Sequence, residues 1–81
     1  MQQLITTPGQ LGEILRRRRK ARGISQRELA AKLGVGQARL STLEVKPEGL
    51  TLSRLIALVN LLGLELVVQD KSDASVPKTE W

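Results

Sequence analysis

The sequence predicts an all-α domain of four to five short helices followed by one C-terminal β-strand, and three observations predict it. Hydroxyl residues at Thr7, Ser25 and Thr51 open helical patterns, and glycines at Gly23, Gly34 and Gly63 close them. Between those signals the apolar residues recur at three- and four-residue spacing. Leu64 to Gln69 (LELVVQ) departs from that spacing, with the partial alternation and β-branched residues of a strand.

Each element follows from local chemistry. Thr7 is a hydroxyl N-cap and Pro8 suits the first helical position, where its missing N–H would be unpaired anyway, so a first helix runs from Pro8 to Arg22 with Gly23 as its stop. Ser25 caps a second helix, Gln26 to Leu33, and Glu28 three residues on completes a capping box. Gly34 ends it. A third helix, Gly36 to Glu44, turns Leu40 and Leu43 inward and leaves Gln37, Ala38, Arg39, Ser41 and Thr42 outward. Lys46-Pro47-Glu48-Gly49 reads as a turn, after which Thr51 caps a fourth helix, Leu52 to Leu62.

The apolar set of that fourth helix (Leu52, Leu55, Ile56, Leu58, Val59, Leu61, Leu62) is wider than one stripe, which in a short domain points to a second chain. The strand that follows needs a ladder partner, either the N-terminal QQLI segment or the same strand of a second molecule; a symmetric intermolecular ribbon is favoured. Leu58, Leu61, Leu64, Leu66 and Val68 are the expected dimer contacts. The chain thus divides into a domain over 1–70 and a polar tail over 71–81 (KSDASVPKTEW), where Trp81 is the lone aromatic and a candidate for docking a partner.

Composition narrows the function. The 81 residues hold 13 Lys plus Arg against 8 acidic residues, a formal net charge of +5, which favours polyanions. With no Cys and no His, disulfides and Cys/His metal sites are excluded, and thiol or imidazole catalysis has no residue to use. Ser25, Ser41, Glu13, Glu28 and Glu44 have no activating partner, so neither an enzyme nor a cofactor is expected. The start, QQLITTPGQ, lacks the charge and apolar run of a secretory signal, and no segment reaches the ~20 apolar residues that span a bilayer; a cytoplasmic protein is expected. Aromatic stacking platforms are missing, which favours duplex DNA over RNA or single strands.

The central piece is SQRELAAKLGVGQARLSTLE, Ser25 to Glu44: two short helices joined at Gly34, with small Ala30 at the close crossing and Val35 pinning the turn, the plan of a helix-turn-helix. Residues 24–35, ISQRELAAKLGV, resemble the Cro/repressor-type helix-turn-helix proteins, and the resemblance covers roughly residues 10–64. The Thr-Pro start, the strand after the fourth helix and the Glu80-Trp81 ending look most like the HipB-type antitoxins. The resemblance implies a lambda-repressor-like fold and a sequence-specific transcriptional repressor of double-stranded DNA in the bacterial cytoplasm, associated with the nucleoid. It further implies an antitoxin that restrains a serine/threonine-kinase-like toxin and represses their shared operon; the alternative is a stand-alone regulator with no toxin. Carried over by position, it places Gln26 on a phosphate beside Arg27, and Gly36, Gln37, Ala38, Arg39, Ser41 and Thr42 at base edges. Chemistry suits those positions: a glutamine amide can be bidentate to adenine, arginine can reach guanine or phosphate, and Ala38 or the Thr42 methyl can touch thymine. Gly36 stands where the family commonly has Ser or Thr, which removes one side-chain contact.

The run RRRRK, Arg16 to Lys20, fans around the first helix at about 100° per residue. Arg16, Arg17 and Lys20 face away from the side defined by Leu11, Ile14 and Leu15, whereas Arg18 falls near its middle and Arg19 at its edge. The resemblance pairs Arg19 with Glu44, joining the first helix to the end of the third. Arg18 stands where the family has an apolar residue and has no partner assigned.

Overall fold

The computed structural model describes residues 2–71, and all of the expected tail but Lys71, with Trp81 in it, lies outside them. Four α-helices are ordered α1 Pro8–Ala21, α2 Gln26–Leu33, α3 Gln37–Val45 and α4 Leu52–Leu61, with a 3-10 turn at Pro47–Gly49. Their ends are set by local hydrogen bonds. At the start of α1 the Gln10 N–H donates to Thr7 Oγ1 at 3.3 Å, while Gln10 Oε1 accepts from the Thr7 and Thr6 N–H groups at 3.2 and 2.7 Å. Ser25 and Glu28 form the same reciprocal box on α2, at 3.0 and 3.3 Å. Each such cap satisfies amide donors that the helix leaves unpaired.

Gly34 closes α2 at φ 81, a left-handed conformation that L side chains adopt at a cost, and the Val35 N–H then donates back to Ala30 O at 3.0 Å. This turn aims α3 across α2. Gly36 is extended and serves as the N-cap of α3 without a side-chain bond, so α3 begins and ends one residue later than expected. Thr51 caps α4 through a 3.1 Å bond from the Arg54 N–H.

Leu15, Leu29, Ala30, Leu40, Leu58, Val59 and Leu62 form the core, with Leu11, Ile24, Leu33, Val35, Leu50, Leu55, Leu61 and Leu64 packed around it. Helix α1 lies against the end of α3 so closely that a Cβ on Gly12 would overlap the Glu44 carbonyl oxygen and come within 3.3 Å of Pro47 Cδ. Only glycine allows that approach. Leu58, expected at a dimer contact, is 1% exposed and points into its own core, so it has no surface to offer a second chain. The apolar surplus of α4 instead faces out at Leu52 and Ile56 and continues through Leu66, Val67 and Val68. A shallow groove there is lined by Ile56, Val59, Asn60, Glu65, Leu66 and Val67. Residues 64–71 form neither helix nor strand within one chain. A ladder needs a second edge, and residues 2–5 form no strand either. Among the described residues no helix is long and apolar enough to cross a membrane.

The five-residue cationic run divides by partner. Arg16, Arg17 and Lys20 are exposed. Arg18, without an assigned role from sequence, reaches the end of α4: its Nε donates to Leu62 O at 2.9 Å and its Nη2 to Gly63 O at 3.3 Å, and Arg22 Nη1 adds a 3.4 Å bond to Leu62 O. Cationic donors on C-terminal carbonyls satisfy orphan acceptors and complement the helix dipole. Arg19 is buried, with Nε 2.7 Å from Glu44 Oε2, Nη2 3.3 Å from Glu44 Oε1 and Nη1 2.9 Å from Ile24 O.

Removing one member of a buried pair leaves the other charge uncompensated, at a cost of about 3–5 kcal/mol, whereas an exposed cation contributes within about 0.5 kcal/mol. Urea unfolding should therefore show a large loss for Arg19→Ala and almost none for Arg17→Ala, three bonds against open solvent. Equal midpoints for the two variants would reject the pair as a strut.

Candidate nucleic-acid interface

The helix-turn-helix leaves one polar surface outward. Leu40, Leu43 and Glu44 are buried on one side of α3, while Gln37, Ala38, Arg39, Ser41 and Thr42 are exposed on the other. Small side chains at Ala38 and Ser41 keep that surface low, so the helix could lie deep in a groove about 12 Å wide. Within the described residues the Gln37 amide and the Ser41 hydroxyl make no hydrogen bond, so their donors and acceptors are available to a ligand. Thr42 Oγ1 donates to Ala38 O at 3.1 Å, which spends its proton on its own helix. Gly36 contributes backbone alone.

Gln26 and Arg27 open α2 beside this surface, Arg27 exposed and Gln26 half-buried. The Gln26 Nε2 donates to Glu44 Oε1 at 2.9 Å, a partner that the sequence does not announce. One of its two amide hydrogens is thereby used and the other stays available, with the side chain held in place. Glu44 is consequently the shared acceptor of Arg19 and Gln26, and it fixes the start of α2 against the end of α3. Arg39 lies on the far edge of α3, where Nη2 donates to Gly49 O at 3.3 Å. Sequence reasoning also missed this contact, because a backbone carbonyl in a turn carries no residue signature.

Charge agrees with the shape. Among the described residues the single ion pair is Arg19 with Glu44, so the net positive charge rests on exposed side chains. A polyanion is the ligand such a surface attracts. No cluster of residues able to hold a metal occurs among the described residues.

Comparison with known proteins places this geometry. Residues 15–69 match the helix-turn-helix family model. Antitoxin HipB of Escherichia coli strain K12 is 35% identical over 78 residues, covering 96% of this chain and 89% of that protein. Among solved structures, a chain of a HipA-HipB-O2-O3 complex superposes with a TM-score of 0.78 at 32% identity, covering 88% of this chain and 100% of that chain. A chain of a HipB-O1-O2 complex gives 0.75 at 33% identity, covering 85% of this chain and 100% of that one. The chain therefore belongs to the helix-turn-helix family, among the relatives of the HipB antitoxins.

Proposed function

We propose that this protein is a sequence-specific double-stranded DNA-binding repressor and the antitoxin of a HipBA-like toxin-antitoxin system. The observation that carries the reading is the outward face of α3, polar, exposed and backed by the buried Leu40, Leu43 and Glu44. Gln37, Ala38, Ser41 and Thr42 read base edges in the major groove, Gly36 lets the backbone approach, Gln26 and Arg27 meet the sugar-phosphate walls, and Arg39 reaches guanine or phosphate. Neutralised phosphates release counterions, so affinity falls as salt rises. We propose accordingly that the protein acts in the bacterial cytoplasm, on the nucleoid.

Two copies join through Leu61, Leu64, Leu66 and Val68, to which the exposed Leu52, Ile56 and Val67 are added. A two-fold assembly puts two recognition helices about 34 to 36 Å apart and calls for a near-palindromic operator. The same dimer restrains a serine/threonine-kinase-like toxin and represses the operon they share, which the HipA-HipB-O2-O3 complex supports by joining a chain of this fold to HipA. Trp81, outside the described residues, is the candidate docking residue.

Three measurements test this reading. In a binding-site selection followed by titration, Gln37→Ala should lose roughly 1 to 3 kcal/mol on the selected duplex with little change on scrambled DNA, while Arg27→Ala should weaken both alike. Identical profiles for the two variants would remove the division between reader and anchor. Sedimentation of Leu66→Asp should report a monomer whose footprint has lost its two-fold character; a dimer that persists would move the interface elsewhere. Co-expression with the kinase-like product of the neighbouring gene should yield a complex stable at low salt, and its absence would leave a stand-alone repressor.

A further inference from the structure

Gly49 raises a question that backbone geometry does not answer. The described glycines with positive φ are Gly23, Gly34 and Gly63, so Gly49 adopts a conformation open to any residue. What crowds a side chain there is Arg39 together with Leu43: a Cβ would sit 3.2 Å from Arg39 Nη2 and 3.7 Å from Nη1, with Leu43 Cδ2 at 3.3 Å, so the guanidinium would have to give way. The guanidinium lies over the Gly49 Cα and donates from Nη2 to the Gly49 carbonyl at 3.3 Å, although both residues are exposed. An exposed arginine is expected to sweep many rotamers, and this one is held to a turn ten residues on.

The direction of that tether decides what Arg39 can reach. Two residues after Gln37, it stands about 200° around the α3 axis, on the edge beside the Pro47–Gly49 turn, with Ala38 and Thr42 between the two edges. When a helix lies in a groove, its middle meets the floor and its edges meet the walls, which are phosphates. Reading guanine requires two parallel donors extended toward the floor. A fork drawn sideways onto the turn instead offers its remaining donors to a wall. Its charge has no acidic partner, since the single ion pair among the described residues is Arg19 with Glu44.

We infer that Arg39 is a phosphate anchor, not a base reader, and that Gly49 is the positioning residue that holds it against the groove wall. The inference rests on the DNA-binding reading given above and sharpens one contact within it. Binding of the full-length protein to the selected duplex and to a scrambled duplex, each titrated at several salt concentrations, tests it with Arg39→Ala, Gly49→Ala and the double variant. Arg39→Ala should weaken both duplexes by about tenfold and make the salt slope shallower by about one. Gly49→Ala should move both in the same direction by a smaller factor, and adding it to Arg39→Ala should change nothing further.

Loss confined to the selected duplex on Arg39→Ala would make it a base reader and overturn the inference. Equal weakening by Gly49→Ala with and without Arg39 would show that the glycine acts through Leu43 packing, which also overturns it. A wild-type protein that binds neither duplex defeats the DNA-binding reading as well, whereas a wild type that binds and an Arg39→Ala variant that binds unchanged defeat this inference alone. Arg39→Ala removes only a solvent-exposed bond to the turn and keeps its sequence, so the result does not hang on whether Gly49→Ala folds well.

Discussion

The carboxylate of Glu44 is the point on which the arrangement of this small domain depends. It is buried, and it accepts from Arg19 Nε, Arg19 Nη2 and Gln26 Nε2, while Arg19 Nη1 turns to the Ile24 carbonyl just ahead of α2. One acceptor thus joins α1, the start of α2 and the end of α3. Apolar residues of similar volume would often match or exceed such a cluster in net stability, because both charges must be desolvated. They would not fix its geometry. Hydrophobic contact is non-directional, whereas a forked guanidinium against a carboxylate defines distance and plane together. In a core built from Leu, Val, Ala and Ile without a buried aromatic, that directionality is what keeps three short helices in one register.

Satisfaction of every group makes the cluster tolerable. No buried side-chain nitrogen or oxygen among the described residues lacks a partner. The glycine at position 12 is part of the same device, since α1 must approach the Glu44 carbonyl closely for Arg19 to reach its carboxylate. A methyl group at Gly12 would push α1 away and lengthen the very bonds that hold α3. The exposed face of α3 can then be small and polar, carrying little packing duty, because its position is enforced from beneath.

Much of this was legible in the sequence where the determinants are local. Thr7-Pro8, Ser25 with Glu28, Gly34 and Thr51 each act within four residues, so helix starts and stops could be read directly, and α2 falls at the expected residues. The outward side of α3 followed from Leu40 and Leu43 alone. Long-range contacts to backbone were not legible. Arg18 binds carbonyls 44 and 45 residues away, and Arg39 binds one in a turn; a carbonyl is common to every residue and leaves no mark in a sequence. Helix α4 is the intermediate case. Its seven apolar residues announce more surface than one core needs, but periodicity does not say which stripe turns inward, and Leu58 turns to its own core while Leu52 and Ile56 face out.

The contacts of Arg18 and Arg22 tie the remaining parts together. They clamp the carbonyls of Leu62 and Gly63 to α1, the helix that Arg19 and Gly12 lock to α3. Gly63 itself is at φ 70, the left-handed region that favours glycine, and a Cβ there would displace Arg22 Nη1 from its place on the carbonyl. The chain therefore leaves α4 toward Leu64 to Gln69 in a direction referred, through α1, to α3. In a two-fold assembly built on that segment, the separation of two α3 helices is a property of the folded monomer and not of a hinge. DNA fixes half-site spacing to the pitch of its own helix, so a domain that must match it gains from a rigid link between the surface that pairs and the surface that reads. The run RRRRK supplies that link with two of its four arginines and leaves Arg16, Arg17 and Lys20 to the solvent and to whatever polyanion approaches.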